Sequence, residues 1–465
     1  MKIAVINGSP KGKQSITLQY VKYMQIKHSN HEWIEIDAGK EISKLEKNKD
    51  KVNKVIEIIN SCDGILWATP VYYFNVPSQV LRFLNLVLND KALQQSFKNK
   101  YTALITTSIN YFDHTAHRFF HAMSSLLEMK TVDTISPNME TLFSKPGRKK
   151  LDLFMKNFLE HLKNKYPGTY KFNLPKPTTF NYQPAPVEHK IHSDNKITII
   201  TDKSEENSNL GKMIDRFSSS FNSTKIQQIE IAKLGIKSGC RGCLKCASDL
   251  VCVFDKADKF RETVAKLVVP ADIIIFAVSI ENIYLSFQWQ QFITRFFCNG
   301  HVPLFQNKQI GVLVSGPLSE FTYLQDVLGN IIYESESNLA GFVTDEEQNS
   351  EIIDLKITDL ARKTELFHKQ NYFAPKKFPG VAGRKIFRVK FLESIGVVFP
   401  NDFKHYSRQG YFDFPNTRFL KRFVNFIIRN FLKIPPIKKR FYHKEIVPGM
   451  IRPYTKILNK HSSSK

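Results

Sequence analysis

Four of the six cysteines in this 465-residue chain lie in one short segment, SGCRGCLKCASDLVCVFD, at residues 238–255. They are Cys240, Cys243, Cys246 and Cys252, and their spacing is C-x2-C-x2-C-x5-C. Three thiols at this spacing can wrap around a compact cubane, as in bacterial ferredoxin sequences, and here the fourth is near enough to close the same cluster. The spacing therefore favours a [4Fe–4S] ligand set.

Other chemistry also fits four thiols. Zinc sites usually pair two C-x2-C knuckles that are a dozen or more residues apart, whereas these cysteines lie within thirteen residues. Free or redox-active thiols are the remaining alternative, because a reducing compartment disfavours structural disulfides. The other two cysteines, Cys62 and Cys298, fall on helical segments and are expected to be ordinary buried thiols.

A second chemical signal is the segment INGSPKGKQSITLQY (6–20), which joins an apolar strand to a helix. Its glycines allow a tight turn, its serines and threonine supply hydroxyl donors, and its lysines supply positive charge. Backbone N–H groups at a helix N-terminus complete a phosphate site. The segment is neither a Walker loop nor a GxGxxG motif, so it indicates the single phosphate of FMN. The alternative is a helix N-cap that holds no ligand.

A third segment supplies a flat apolar surface. TPVYYFNVPSQVLRFLN (69–85) follows a buried strand, and Pro70 and Pro77 stiffen its backbone. Tyr72, Tyr73 and Phe74 lie between these prolines and could form a wall against an isoalloxazine ring.

GSP with the following serine and threonine, together with TPVYYFNVP, resembles the NADPH-dependent FMN reductase family over about residues 1–165. The resemblance implies a flavodoxin-like fold that binds FMN, with NAD(P)H stacking directly over the flavin as electron donor. It implies that the phosphate is held by Ser9, Lys11, Gln14, Ser15 and Thr17. The flavin ring would be lined by Pro70, Val71, Tyr72, Tyr73 and Phe74, and contacted on its other side by Thr107, Ser108 and Asn110.

The compact cysteine loop resembles that of the iron–sulfur flavoproteins, relatives of the same reductases that carry a [4Fe–4S] cluster beside FMN. The resemblance implies an oxidoreductase that passes electrons between FMN and the cluster to a quinone, small-molecule or protein acceptor. No catalytic acid or base is indicated. The alternatives are a non-enzymatic electron carrier of the flavodoxin or ferredoxin type, and a zinc-binding protein with degenerate domains.

The elements that must position these residues alternate between strand and helix. KIAVING (2–8), GILWATP (64–70) and YTALITTS (101–108) are apolar and β-rich, and helices are predicted at about 15–28, 76–90 and 115–129. The alternation restarts with strands at 196–202, 271–279 and 308–316 and helices at 207–221, 286–299, 320–336 and 352–369. The repeated order predicts an internal duplication of one α/β unit.

The predicted fold class is therefore α/β, with two tandem flavodoxin-like parallel-sheet domains and a basic C-terminal extension. The predicted bounds are 1–165 for an FMN-binding domain, 166–195 for a proline-rich linker, 196–370 for a domain with the cysteine loop, and 371–465 for the extension. The second domain begins with TDKSEENSN (201–209), which lacks GSP and carries three carboxylates. We therefore expect its flavin site to be degenerate.

Charge is unevenly distributed. The formal net charge is +24, and residues 371–465 hold 21 Lys/Arg against four Asp/Glu. TRFLKRFVNFIIRNFLKIP (417–435) has the apolar spacing of an amphipathic helix, followed by the cationic run PPIKKRFYHK (435–444). This helix could dock on the two domains, lie on an anionic membrane or bind an acidic protein partner.

Nucleic acid is not an expected partner, because no recognised nucleic-acid-binding fold accompanies the charge. The sequence shows no signal peptide and no membrane span, so we expect a cytoplasmic protein, with peripheral membrane contact through the tail as an option and the oligomeric state open.

Overall fold

The structure is a computed structural model that describes residues 1–176, 179–202, 205–222, 225–393, 395–413, 419–431, 434–440 and 445. The described residues fall into two compact units, one within Met1–His405 and one within Tyr406–Lys465.

The first part of the larger unit contains one parallel sheet. Its elements are β1 (Lys2–Asn7), α1 (Ile16–Lys27), β2 (Glu32–Ile36), α2 (Ile42–Leu45), α3 (Lys49–Ser61), β3 (Gly64–Pro70), α4 (Ser78–Asn89), α5 (Lys91–Phe97), β4 (Tyr101–Thr107), α6 (Asp113–Leu126), β5 (Lys130–Ile135) and α7 (Lys145–Asn164). The strand order is β2-β1-β3-β4-β5 and every pairing is parallel. This is the doubly wound flavodoxin order, whose switch point lies between β1 and β3.

The second part repeats this architecture. Its elements are β6 (Ile191–His192), β7 (Ile197–Thr201), α8 (Asn209–Ser219), β8 (Phe221–Asn222), β9 (Ile226–Glu230), α9 (Phe260–Thr263), β10 (Ile273–Glu281), β11 (Tyr284–Leu285), α10 (Phe287–Arg295), β12 (Gln309–Ser315), α11 (Thr322–Glu334), β13 (Asn338–Thr344) and α12 (Ser350–Lys369). The parallel strands run β13-β12-β10-β7-β9, which is the first sheet's order read from the other edge. The predicted pair of flavodoxin-like sheets is therefore confirmed.

The helices on one face of each sheet pack together in a common hydrophobic core. In each half the central strands are buried on both faces, as parallel strands covered by helices must be. One hydrophobic core contains residues from both halves, because α4 packs against α10 and α6 packs against α11. These helices are equivalent in the two repeats, so the halves pair through the same surface, as the subunits of a twofold dimer do. Two further cores lie on the outer faces, under α1 and α7 in one half and α8 and α12 in the other.

Among the residues that the structure describes, the second sheet is followed by α13 (Phe378–Glu393), α14 (Pro400–Arg408), α15 (Phe419–Phe431) and α16 (Pro435–Arg440). All of α13 belongs to the compact unit that contains both sheets, so the extension predicted from residue 371 begins with a packed segment. Within the part of the chain that the structure describes, every helix is too short or too polar to cross a membrane.

Candidate functional site

The phosphate loop lies where β1 ends and α1 begins, at the switch point of the first sheet. Its hydroxyl residues Ser9, Ser15 and Thr17 are all at least 98% buried. Gly12 has φ +55°, in the left-handed region that glycine tolerates, and a Cβ there would lie 2.8 Å from the Lys40 side chain. Ser15 is the N-cap of α1 but makes no side-chain capping hydrogen bond, so its hydroxyl is not used by the helix.

The three loops predicted to surround the flavin come together in the structure. The Thr17 and Thr107 hydroxyls are 2.6 Å apart, which joins the phosphate loop to the end of β4. The backbone N–H of Val71 donates to the Thr107 carbonyl at 3.2 Å. Ser108 accepts a hydrogen bond from the Asn110 N–H at 2.8 Å. Carboxyl ends of neighbouring parallel strands meet at one edge of the sheet, and these loops do so.

The remaining predicted phosphate residues are more open. Lys11 is half-buried, and Gln14 is exposed at the rim of the loop. Donors placed at the N-terminus of a helix suit an anion, so this set fits an FMN phosphate.

The aromatic wall consists of Tyr72, Tyr73 and Phe74, which are half-buried after β3. Tyr73 and Phe74 have positive φ values of 46° and 67°, a strained backbone for bulky residues and one that often marks a functional loop. The Phe297 ring of the second half packs against Tyr73 with 4.6 Å between centroids and against Tyr72 with 5.3 Å. The wall is therefore built by both halves, which the sequence patterns do not indicate.

The cysteine loop contacts the aromatic wall directly. Gly242 has φ +62°, and a Cβ there would lie 2.1 Å from the Tyr72 hydroxyl and 2.7 Å from Cε of Lys11. Gln79, at the start of α4, donates to the Ser238 hydroxyl at 3.2 Å. The loop that carries the thiols in the second half is thus seated on the predicted FMN site of the first half.

A buried ion-pair network anchors the other end of the cysteine loop. The Arg295 side chain is fully buried and lies 2.6 Å from Asp258, whose side chain is also fully buried. Asp255 accepts a hydrogen bond from the Cys252 N–H at 2.9 Å and lies 3.3 Å from Arg261. In this network each of the charged side chains has an oppositely charged neighbour, as buried charges require.

The four thiols differ in environment. Burial raises the pKa of the Cys240 thiol to about 12, and the Cys246, Cys243 and Cys252 thiols contribute to the same rise. Cys243 is exposed. Across the described part of the chain, no three His, Cys, Asp or Glu side chains are grouped closely enough to hold a metal ion. The structure therefore does not display a formed metal centre, and the cluster stays a prediction from the spacing.

Cys298 is closer to this site than the sequence indicates. It is buried in a short 3-10 turn, Phe296–Asn299, rather than on an ordinary helix, and Phe297 beside it packs on the aromatic wall. Burial raises the pKa of Cys298, and the nearby thiols of Cys252 and Cys246 contribute to that rise. Only the long-range packing of α10 brings this thiol to the loop, so no local pattern could have found it.

In the second half a carboxylate of the chain lies between the corresponding elements. The buried Asp345 carboxylate accepts hydrogen bonds of 2.8 Å from Asn209 at the start of α8, from the Ser315 hydroxyl at the end of β12 and from the Gly316 N–H. A carboxylate thus bridges the two elements that Thr17 and Thr107 join in the first half. The fully buried Tyr182, from the proline-rich segment, also donates its N–H to Asn209. These contacts favour the predicted degenerate site.

Comparisons with known proteins agree with this geometry in the first half. Residues 1–141 match the family model of the NADPH-dependent FMN reductases, which confirms the resemblance inferred from the two loops. No curated protein matches the chain in sequence.

Three of the solved structures that match part of this chain are described here. FerB, a flavoenzyme NAD(P)H:(acceptor) oxidoreductase from Paracoccus denitrificans, is 17% identical, with 35% of this chain and 97% of that chain covered and a TM-score of 0.29. General stress protein 14 from Treponema denticola, in complex with FMN, is 15% identical, with 36% and 100% covered and a TM-score of 0.26. NAD(P)H:quinone oxidoreductase from Methanothermobacter marburgensis is 10% identical, with 36% and 98% covered and a TM-score of 0.26.

Proposed function

We propose that this chain is an NAD(P)H-dependent FMN oxidoreductase with its flavin site at the carboxyl edge of the first sheet. The observation that carries the proposal is the convergence of three buried hydroxyls, a helix N-terminus and an aromatic wall within the segment that matches the reductase family model. FMN bound there would accept a hydride from a nicotinamide nucleotide and return the electrons to an acceptor.

Each part of the first half has a role in this proposal. Ser9, Ser15 and Thr17 bind the phosphate, because they surround the start of α1 where anions are favoured. Lys11 adds positive charge on the side that faces the cysteine loop. Tyr72 presents a neutral phenol at the edge of the aromatic wall, because the ordinary pKa of tyrosine is already about 10 and burial raises the pKa of this phenol further. The contacts of Pro70, Val71, Thr107, Ser108 and Asn110 with the ring are part of the same proposal.

Titration of the apo protein with FMN tests the site. Replacing Ser9 and Ser15 together by Asp places two negative charges against the phosphate and should abolish binding. Ser15→Ala, a milder change, should weaken it by about 1.5–3 kcal/mol, the contribution of a hydrogen bond to a charged group. Ser61→Asp, which adds charge to an exposed position on α3, is the control. Full flavin in the double variant would place the phosphate elsewhere.

Anaerobic mixing with NADH or NADPH distinguishes the enzyme from an electron carrier. The oxidoreductase should lose its flavin absorbance near ~450 nm on mixing with one of the two nucleotides, because flavins accept hydride directly. A flavin that neither nucleotide bleaches, but that dithionite bleaches, would support the carrier instead. The acceptor can then be assigned by offering a quinone, a small dye and a ferredoxin in turn.

We further propose that Cys240, Cys243, Cys246 and Cys252 ligate a [4Fe–4S] cluster. Support comes from their spacing and from the seat of their loop against Tyr72 and Lys11. Four thiolates are the usual ligands of such clusters, which exchange one electron at a time.

Metal analysis of anaerobically purified or iron-reconstituted protein tests the cluster. Iron, with broad absorbance near ~400 nm that dithionite bleaches, is the expected result. Cys243→Ala should remove it, whereas Cys62→Ala, a buried thiol at the end of α3, should leave it intact. Stoichiometric zinc without iron would support the zinc alternative, and protein without metal would support free or redox-active thiols.

A further inference from the structure

The C-terminal segment closes over the loop that follows β4. Gly383 of α13 is packed so tightly that a Cβ there would lie 2.3 Å from the Tyr111 hydroxyl and 2.5 Å from Oε1 of Glu334. Phe387, one turn further along α13, packs edge-on against the Tyr111 ring with 5.8 Å between centroids. Tyr111 is therefore held between the first half of the molecule and the C-terminal segment.

Three oxygen atoms surround the Tyr111 hydroxyl. They are Oε1 of Glu334 at 2.9 Å, Oδ1 of Asn330 at 3.1 Å and the carbonyl oxygen of Pro379 at 2.8 Å. A phenol has one proton to donate, and a backbone carbonyl can only accept. If Glu334 carries a proton, it donates to Tyr111 while Tyr111 donates to Pro379, so both short contacts become hydrogen bonds. If Glu334 is ionised, all three oxygens are acceptors, and Tyr111 can donate its proton to only one of them.

Burial raises the pKa of the Glu334 carboxyl to about 7. The hydrogen bond from Tyr111 lowers this pKa, and so do the charges of Lys376 and Arg384 in the C-terminal segment. The charge of Glu336, in the turn after α11, raises it further. The carboxyl thus changes charge near neutral pH while it is packed between α11, α13 and the Tyr111 loop.

Tyr111 connects this carboxyl to the predicted flavin wall. Its ring packs against Phe74 with 5.8 Å between centroids and against Phe112 with 5.0 Å. Tyr111 also follows Asn110, a predicted ring contact, by one residue. Glu334 even influences Tyr73, because its charge contributes to the raised pKa of that phenol.

We propose that Glu334 is a positioning residue whose proton latches the C-terminal segment onto Tyr111 and thereby sets the flavin-contacting loop in place. This inference rests on the proposed function for its link to FMN, but the latch itself exists without flavin. Loss of the proton leaves a buried carboxylate beside two competing acceptors, so the contact with Pro379 weakens and α13 loosens.

Proton linkage determines whether the latch becomes tighter or looser as pH rises. A carboxyl whose folded pKa is raised binds its proton more tightly in the folded latch than in the open one. The contribution of this proton to the latch is complete below the ordinary glutamate pKa. It is lost as pH rises towards the folded value of about 7. The latch should therefore be tighter at pH 6 than at pH 8.5.

Hydrogen–deuterium exchange on the full chain without flavin tests the latch. After correction for the intrinsic pH dependence of exchange, the amides of residues 380–391 should be about tenfold less protected at pH 8.5 than at pH 6, the effect of about one pKa unit. Glu334→Gln, which keeps the shape and a donor but cannot ionise, should show equal protection at both pH values. Glu365→Gln changes another buried glutamate, on α12, and should behave as wild type.

FMN affinity measured over the same pH range then connects the latch to the site. Wild-type affinity should fall with rising pH, and the Glu334→Gln protein should lose that dependence. If FMN binds but the two proteins share one exchange profile and one affinity profile, Glu334 is not the latch. If FMN does not bind at any pH, the proposed function fails, while the exchange experiment still decides the latch.

Discussion

Gly242 is a residue of the cysteine loop that contacts Tyr72 of the aromatic wall. Its positive φ and its contact with Tyr72 and Lys11 leave no room for a side chain. Gly235, at the end of a short 3-10 turn just before the loop, has nearly the same φ of 59°, but a Cβ there would meet nothing within 4 Å. A substitution at either glycine strains the backbone, but only one at Gly242 also creates a steric clash at the site. Comparing the two therefore distinguishes these effects.

Gly242→Ala should weaken FMN binding by about tenfold or more. Both Gly242→Ala and Gly235→Ala place alanine in a left-handed conformation, which costs about 1–2 kcal/mol. Only Gly242→Ala also forces the Tyr72 hydroxyl or the loop to move. Fluorescence titration with FMN and thermal unfolding of both variants measure the two effects. Equal loss of FMN affinity in both would show that the contact with Tyr72 has no influence on the site.

At the scale of single elements, α15 has the amphipathic pattern that the sequence predicts for 417–435. Within the described residues, Leu420, Val424, Ile427 and Phe431 are each at least 37% exposed, and they recur at helical spacing on one side. Between Asp413 and Glu445 the sequence contains nine Lys/Arg and no Asp/Glu. Residues 417, 418, 432, 433 and 441–444 of the predicted helix and cationic run lie outside the described residues.

An exposed apolar stripe with this much positive charge should bind anionic vesicles. Each cation near such a surface contributes about 1 kcal/mol, and the apolar side chains add burial in the interface. The full-length protein should co-sediment with phosphatidylserine vesicles at low salt but not with neutral vesicles. Replacing Val424 and Ile427 by Glu should abolish this binding, whereas Asn425→Glu adds charge without removing an apolar side chain and should only weaken it. Wild-type protein that stays in the supernatant would exclude a membrane role for α15.

At the scale of the whole molecule, the two repeats have the same topology but different sites. In the first half the Thr17 and Thr107 hydroxyls join the start of α1 to the end of β4, whereas in the second half the Asp345 carboxylate joins the corresponding elements and is held by Asn209, Ser315 and Gly316. A carboxylate already bound at a helix start disfavours a second anion there, because like charges repel.

We therefore expect one FMN per chain at saturation. Asp345→Asn removes the charge from three hydrogen bonds, so it should lower the free energy of unfolding by about 1.5–3 kcal/mol without adding a second flavin. Equilibrium titration with FMN, monitored by calorimetry, gives the stoichiometry, and chemical denaturation gives the stability. Two flavins per wild-type chain would contradict the assignment of the second site as filled.

Local patterns predicted the parts of this fold that depend on neighbours in sequence. The strands β1, β3 and β4 and the helices that follow them end within a few residues of the predicted positions. This is because apolar runs and helical periodicity can be recognised in a short window of consecutive residues. The cysteine spacing and the tyrosine pair were visible for the same reason. The packing of Phe297 on Tyr73 and of Gly242 on Tyr72 joins residues more than 150 positions apart, which no local pattern encodes.

Average composition does not show which residues are buried in the proline-rich segment and in the basic extension. The proline-rich segment was expected to be a linker, yet Tyr182 is fully buried and donates its hydroxyl hydrogen to Asp354 of α12. The positive charge of residues 371–465 conceals a packed stretch, in which Phe391 is 97% buried and Asp402 accepts a hydrogen bond from the His301 N–H. In both segments a few residues make buried contacts. An average over the whole segment does not show them, because the exposed residues outnumber them.

The pairing of α4 with α10 and of α6 with α11 resembles a dimer interface, but here both partners belong to one polypeptide. Tethered partners meet at an effective concentration in the millimolar range or above, so dilution in the cell does not separate them. A mutation in a homodimer changes both subunits at once, whereas a mutation here changes one half. Selection can therefore act on each half separately. One half can retain a phosphate loop, while the other loses it and instead contributes Phe297 and the cysteine loop to the site of the first.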